Sequence, residues 1–262
     1  MDALSALRLQ IEWGADEALD DAPIDRTRAP APRMAISETE APAAAPPRPT
    51  PRAAPPAPAA RPSPGARAPA LAAAATTLDE LRAALAGFTD CPLAATATNL
   101  VFADGNPTAG LVLVGEAPDG DEDLAGIPFA GPTGRLLNSM LASIGLDRTH
   151  LLITNLVPWR PPGGRPPTDQ EVQMCLPFLR RHLALLAPRI VVTFGALTTR
   201  ALTGNEAGIR KLRGRWLALD LEGAGAVKLL PMLHPAYLRR TPAAKREAWG
   251  DLLVLKKERV LF

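Results

Sequence analysis

Apolar residues in the last two-thirds of the chain fall into two alternating patterns. Four short runs are nearly continuous in Leu, Val and Ile: Gly110 to Gly115, His150 to Asn155, Arg189 to Gly195 and Val227 to His234. Runs of that length, bounded by Gly, Pro and polar residues, read as strands buried on both faces. Between them the apolar positions recur at helical spacing. Leu136, Leu137, Met140, Leu141 and Ile144 share one face, and Gly145 ends that helix. Thr168-Asp169-Gln170-Glu171 reads as a capping box for a helix that turns Val172, Cys175, Leu176, Leu179 and Leu183 inward. Thr77 with Glu80 opens an earlier helix in the same way, and Thr241-Pro242 starts a terminal one carrying Trp249, Leu252 and Leu253. Strands alternating with helices predict an α/β fold: a three-layer α/β/α sandwich around a four-stranded parallel sheet, over residues 77–262.

Upstream the pattern changes. Residues 1–20 have helical spacing, with Leu4, Leu7, Ile11 and Trp13 as the apolar positions. Such a helix could dock a protein partner or fold back on the domain. Residues 21–76 are dominated by Pro and Ala without apolar periodicity, which predicts a disordered linker.

Composition narrows the function classes. No apolar run approaches the ~18 residues of a membrane span, so no membrane partner is expected. The first residues, Met1-Asp2-Ala3-Leu4, lack the basic and apolar regions of a secretory signal, and two cysteines do not make a disulfide scaffold. A cytoplasmic, nucleoid-associated monomer is the expectation. The net charge of +2 hides an asymmetry: residues 1–155 carry 11 Lys and Arg against 19 Asp and Glu, whereas residues 156–262 carry 18 against 8. Blocks such as Arg210-Lys211-Leu212-Arg213-Gly214-Arg215 could face phosphates or simply be solvated helix faces. A P-loop, a Gly-x-Ser-x-Gly elbow and a cysteine pair with zinc spacing are all missing from the sequence.

In an open parallel sheet, ligands bind at the carboxyl ends of the strands. Here those ends carry Gly115-Glu116-Ala117-Pro118-Asp119 with Glu122-Asp123 and Pro128-Phe129-Ala130-Gly131, then Thr154-Asn155 with Arg160-Pro161-Pro162, then His234-Pro235-Ala236-Tyr237-Leu238-Arg239-Arg240. Glu116, followed by Ala117-Pro118, is expected near the sheet edge without a helix dipole beside it. Each residue alone has an ordinary reading as a loop acid, core ring, capping amide or structural histidine. Together, carboxylate, amide, ring and imidazole suit a flat, polar, stackable ligand such as a nucleobase.

These motifs, in this order, resemble the uracil-DNA glycosylase superfamily, closest to its family 4 branch. The resemblance covers Cys91 to Trp249 and implies hydrolysis of the N-glycosidic bond of uracil in single- or double-stranded DNA by base flipping and water attack, a base-excision repair activity. It implies that Phe129 stacks on the flipped base, Asn155 hydrogen-bonds its pairing edge and His234 faces the carbonyl beside the glycosidic bond. Glu116 would position or activate water, with Glu122 as the rival acid, and Ala117 would border the base. Tyr237, Leu238, Arg239, Arg240 and Arg160 would meet DNA, with Leu238 as the wedge filling the vacated stack. Two departures stand out. The family's four-cysteine iron–sulfur ligand set is reduced to Cys91 and Cys175, with Phe88 and Trp159 at the other two positions, so no cofactor or metal is expected. Asp119 stands where the family commonly has Gly; an extra acid there could alter water activation or base choice. A related branch traps DNA through a histidine in the loop after the second strand, but residues 161–167 contain none. The alternative of another class is a non-catalytic binder of uracil-DNA or single-stranded DNA with the same fold.

Overall fold

The computed structural model describes residues 65–223 and 225–259. Its centre is one mixed sheet of six strands in the order β1-β3-β2-β4-β6-β5. The strands are β1 (Ala103–Gly105), β2 (Leu111–Gly115), β3 (Leu152–Asn155), β4 (Ile190–Phe194), β5 (Leu217–Leu221) and β6 (Gly225–Met232). The inner four are parallel and correspond to the four apolar runs; β1 and β5 pair antiparallel on the two edges. The expected four-stranded sheet is therefore corrected to six. Both edge strands escaped the pattern for a physical reason. β1 is three residues long and has no fully buried position, and β5 is only half buried, so neither shows the continuous apolar run of an inner strand.

Ten helices complete the described fold: α1 (Ala68–Ala74), α2 (Leu78–Ala86), α3 (Leu93–Thr96), α4 (Gly120–Ala125), α5 (Gly131–Ala142), α6 (Asp169–Leu186), α7 (Ala196–Thr203), α8 (Ile209–Leu212), α9 (Pro235–Arg240) and α10 (Lys245–Arg259). Alternate residues along each inner strand feed two cores. Val112, Val114, Val191 and Leu229 pack under α1, α2 and α6, while Leu111, Leu113, Val192 and Leu230 pack under α5 and α10. This is the three-layer arrangement the alternation predicted.

The capping boxes at Thr77 and Thr168 form with both reciprocal bonds. Thr241-Pro242 enters the terminal helix through a short 3₁₀ turn, Pro242–Ala244. One boundary moves. Residues 68–74, inside the expected linker, form α1, with Ala68 and Ala72 buried and Arg181 Nε donating to the Ala75 carbonyl at 2.8 Å. Alanine has the highest helix propensity and the least bulk, so an Ala-rich segment can pack closely on α6 although its composition resembles a linker's. Residues 1–64, which include the expected N-terminal helix and most of the expected linker, lie outside the described residues. No helix among the described residues is long and apolar enough to cross a membrane.

Candidate active site

The register of the sheet explains why distant residues meet. Gly115 ends β2 directly beside Asn155 at the end of β3, and Val114 lies level with Thr193 of β4. The chain then continues from each strand into a loop on the same edge. At Gly115 a Cβ would lie 2.2 Å from Asn155 Oδ1 and 2.7 Å from Phe129 Cε2, so only glycine lets amide and ring close over the strand end.

Glu122 organises this layer. It is buried within the first turn of α4, where Asp119 caps the helix by accepting from the Asp121 and Glu122 amides. Its carboxylate accepts from Asp119 N–H at 2.7 Å, from Phe129 N–H and from Asn155 Nδ2 at 3.3 Å. Because a carboxylate can only accept, it orients Asn155 with its NH₂ toward Glu122. Burial raises the Glu122 pKa against those hydrogen bonds. With Oε1 accepting from Phe129 and Asn155 and Oε2 from Asp119, Glu122 holds the amide and the ring in place beside the strand ends. Asp119 is likewise occupied as a cap, which accounts for an acid at that position.

Phe129 takes φ +51°, the left-handed region that costs a bulky residue about 1–2 kcal/mol. Its ring lies 5.5 Å from the His234 ring, nearly parallel at 24°, and 5.6 Å from Phe194. His234 follows β6 and is the N-cap of α9: its Nδ1 accepts from Ala236 N–H at 3.1 Å. That bond assigns the proton of the neutral ring to Nε2, leaving a donor. Burial, aided by the Arg240 charge, pushes the His234 pKa down to about 4, so the imidazole is neutral at pH 7.

Glu116 departs from its expected place. β2 is an inner strand, so Glu116 stands mid-sheet and not at the edge. It also has a helix beside it, accepting from the Leu197 N–H in the first turn of α7. Gly195, at φ +92°, makes the room: a Cβ there would lie 2.1 Å from Glu116 Oε1. Burial raises the Glu116 pKa.

Glu116, Ala117, Asp119, His234, Tyr237 and Arg240 line a cleft of about 810 Å³ that Arg165 and Arg210 also border. Asn155 and Phe129, 5% and 2% exposed, form the layer behind it. Arg210 donates to the Tyr237 hydroxyl at 3.0 Å. Arg239 is exposed and reaches Thr133 Oγ1 at 3.3 Å. Arg160 packs against Gly120, and its Nε is buried without a hydrogen-bond partner.

Leu238 is not on this surface. It is 1% exposed, packed with Leu233, Ala244 and Ala248, so the expected wedge is a core residue. The reason is local: His234-Pro235 caps a helical turn, α9, which rotates Leu238 inward while Arg239 and Arg240 face out. A cap followed by Pro at the first helical position was the signal available in the sequence.

The iron–sulfur ligand positions form part of the core. Cys91 and Cys175 are buried with their thiols hydrogen-bonded to each other. Phe88 and Trp159 are buried in the same cluster, Phe88 with its ring 5.0 Å from Phe178. Two thiols among packed rings do not fit a four-thiolate cluster. Among the described residues no group of three or more His, Cys, Asp or Glu is placed to hold a metal.

Residues 102–253 match the uracil DNA glycosylase superfamily profile. The type-4 uracil-DNA glycosylase of Archaeoglobus fulgidus is 36% identical over 195 residues, covering 71% of this chain and 98% of that protein. The type-4 enzyme of Pyrobaculum aerophilum is 37% identical over 62% of this chain and 84% of its own length. That of Thermotoga maritima is 37% identical over 58% and 78%. With that profile spanning more than half of the chain, and with type-4 relatives more than a third identical, the chain belongs to the uracil-DNA glycosylase superfamily, in its family 4-like branch.

Proposed function

We propose that this protein is a DNA-repair glycosylase that flips uracil out of DNA and hydrolyses its N-glycosidic bond. The observation that carries the reading is the convergence of Glu116, Asn155, Phe129 and His234 on one strand edge beneath a cleft bordered by arginines. Bond cleavage leaves negative charge on the base and positive charge on the sugar. The neutral His234, with Nε2–H free to donate, stabilises the departing uracil oxygen, and Glu116 holds the attacking water and offsets the sugar's charge. Asn155, oriented by Glu122, reads the base edge, and Phe129 supplies the stacking face. Extrusion of the base costs a few kcal/mol, repaid by this pocket.

Hydrolysis without a covalent enzyme–DNA intermediate is supported by the cleft lining, which among the described residues contains no lysine, and by the loop of residues 161–167, which has no histidine. The reading assigns no cofactor, supported by Phe88 and Trp159 packing where thiolate ligands would be required. Arg160, Arg239 and Arg240 meet phosphates, with Tyr237 at the cleft mouth. The enzyme acts as a monomer on single- or double-stranded DNA. Asp119, the extra acid beside the cleft, caps α4 through Oδ1.

The test is excision from a labelled oligonucleotide containing one uracil, scored as alkali-labile sites, together with iron and sulfide analysis of the same preparation. Uracil-dependent cleavage with no iron is expected. Tight binding without cleavage would leave only the binder, and near-stoichiometric iron would overturn the cofactor assignment.

A further inference from the structure

Phe129 is held in its left-handed conformation from both sides of its peptide unit. On the amide side the partner is Glu122. On the carbonyl side it is Arg148, whose Nη2 donates to Phe129 O at 2.6 Å and whose Nη1 donates to Pro128 O at 3.1 Å. Arg148 lies in a short turn, Arg148–His150, ahead of β3, outside the cleft lining and in none of the strand-end motifs. Its guanidinium is itself fixed: Nη1 meets Asp104 of β1, and Nε donates to Asn138 Oδ1 of α5 at 3.2 Å. Gly134 completes the seat, since a Cβ there would fall 1.6 Å from Phe129 O.

We propose that Arg148 is a positioning residue for the stacking ring: it anchors the carbonyls of Pro128 and Phe129 so that the ring stays in the place a base must stack. The inference rests on the glycosylase reading of the site. A planar guanidinium suits the task, because it can hold two adjacent carbonyls, a carboxylate and an amide at once, which a lysine ammonium cannot do in one plane. Among the described residues, the edge strand β1 thereby gains a role, since it carries the Asp104 that orients the guanidinium.

Arg148→Lys keeps the charge and one donor but loses the fork. With the ring free to shift, single-turnover excision should fall roughly 10–100-fold, the scale set by misplacing a reactive partner by about an ångström. Inhibition by free uracil should weaken in parallel, whereas the salt dependence of DNA binding should not change, since Arg148 meets no phosphate. The discriminating measurement is the cycle with Phe129→Leu. If Arg148 acts through the ring, Arg148→Lys should cost almost nothing further once the ring is gone. Full additivity, or wild-type excision and uracil inhibition by folded Arg148→Lys, would overturn the proposal. Should that variant fail to fold, Asp104→Asn, which loosens the guanidinium while leaving it present, decides by the same cycle. Failure of the wild-type protein to release uracil would instead reject the glycosylase reading on which the proposal stands.

Discussion

Leu238→Ala separates a buried side chain from a DNA-inserting one. Leu238 is 1% exposed and packs against Leu233, Ala244 and Ala248 where α9 meets α10. Truncating a leucine so enclosed removes its transfer energy and leaves a cavity, at a cost of about 2–5 kcal/mol. For a domain of this size each kcal/mol lowers Tm by roughly 2–4 °C, so a loss of roughly 4–20 °C is expected. Excision measured well below the new midpoint should fall only modestly, and equally on single-stranded and duplex uracil substrates. The assay is thermal unfolding followed by circular dichroism, with single-turnover excision on matched single and double strands. A variant that melts like wild type but loses activity on duplex alone would contradict the buried placement and return Leu238 to the role of wedge.

Three further outcomes follow from the same structure. Removing residues 1–64 should leave Tm and excision unchanged, whereas removing residues 1–76 should lower Tm, because it also strips α1 with buried Ala68 and Ala72; equal melting of the two truncations would contradict that packing. His182 is buried, stacked on Phe102, with its pKa pushed down to about 4 against about 6.5 in an unfolded chain, so the folded state binds fewer protons between those values and stability present above pH 6.5 is lost as pH falls toward 4. His182→Phe should therefore flatten that part of the stability profile by about 3 kcal/mol relative to wild type in urea titrations, and parallel profiles would mean that His182 titrates alike in the folded and unfolded states. Arg239→Ala should weaken DNA binding irrespective of sequence and reduce the slope of log K against log salt by about one; an unchanged slope would remove Arg239 from the phosphate contacts.

Much of this was readable in the chain because the inner strands bury both faces, so their apolar runs are unbroken and each ends at a recognisable motif. The placing of Glu116, Asn155 and His234 at the carboxyl ends of inner strands followed from those runs. Three things did not follow. The short strand β1 and the half-buried β5 carry no apolar signal, and the strand order that sets β2 between β3 and β4 is a tertiary property that the runs do not encode. Leu238, between Tyr237 and two arginines, has the neighbours of a surface residue, although His234 and Pro235 supply the start of a helix. Glu122 and Arg148 act through contacts with Asn155 and Phe129 that are created by tertiary structure, and no spacing in the sequence encodes those pairings.

On the proposed function, the imidazole at the end of β6 takes part in the chemistry. His234 accepts the Ala236 amide at Nδ1 and is left with a donor at Nε2 near the ring of Phe129. That donor acts on charge which develops mainly in the transition state. His234→Ala, assayed by single-turnover excision on a uracil-containing single strand, should lose roughly 10²–10³-fold in rate while binding the strand almost as well as wild type. A folded His234→Ala protein that excises uracil at a near-normal rate would mean that the histidine only caps α9, and the catalytic account of this site would be wrong.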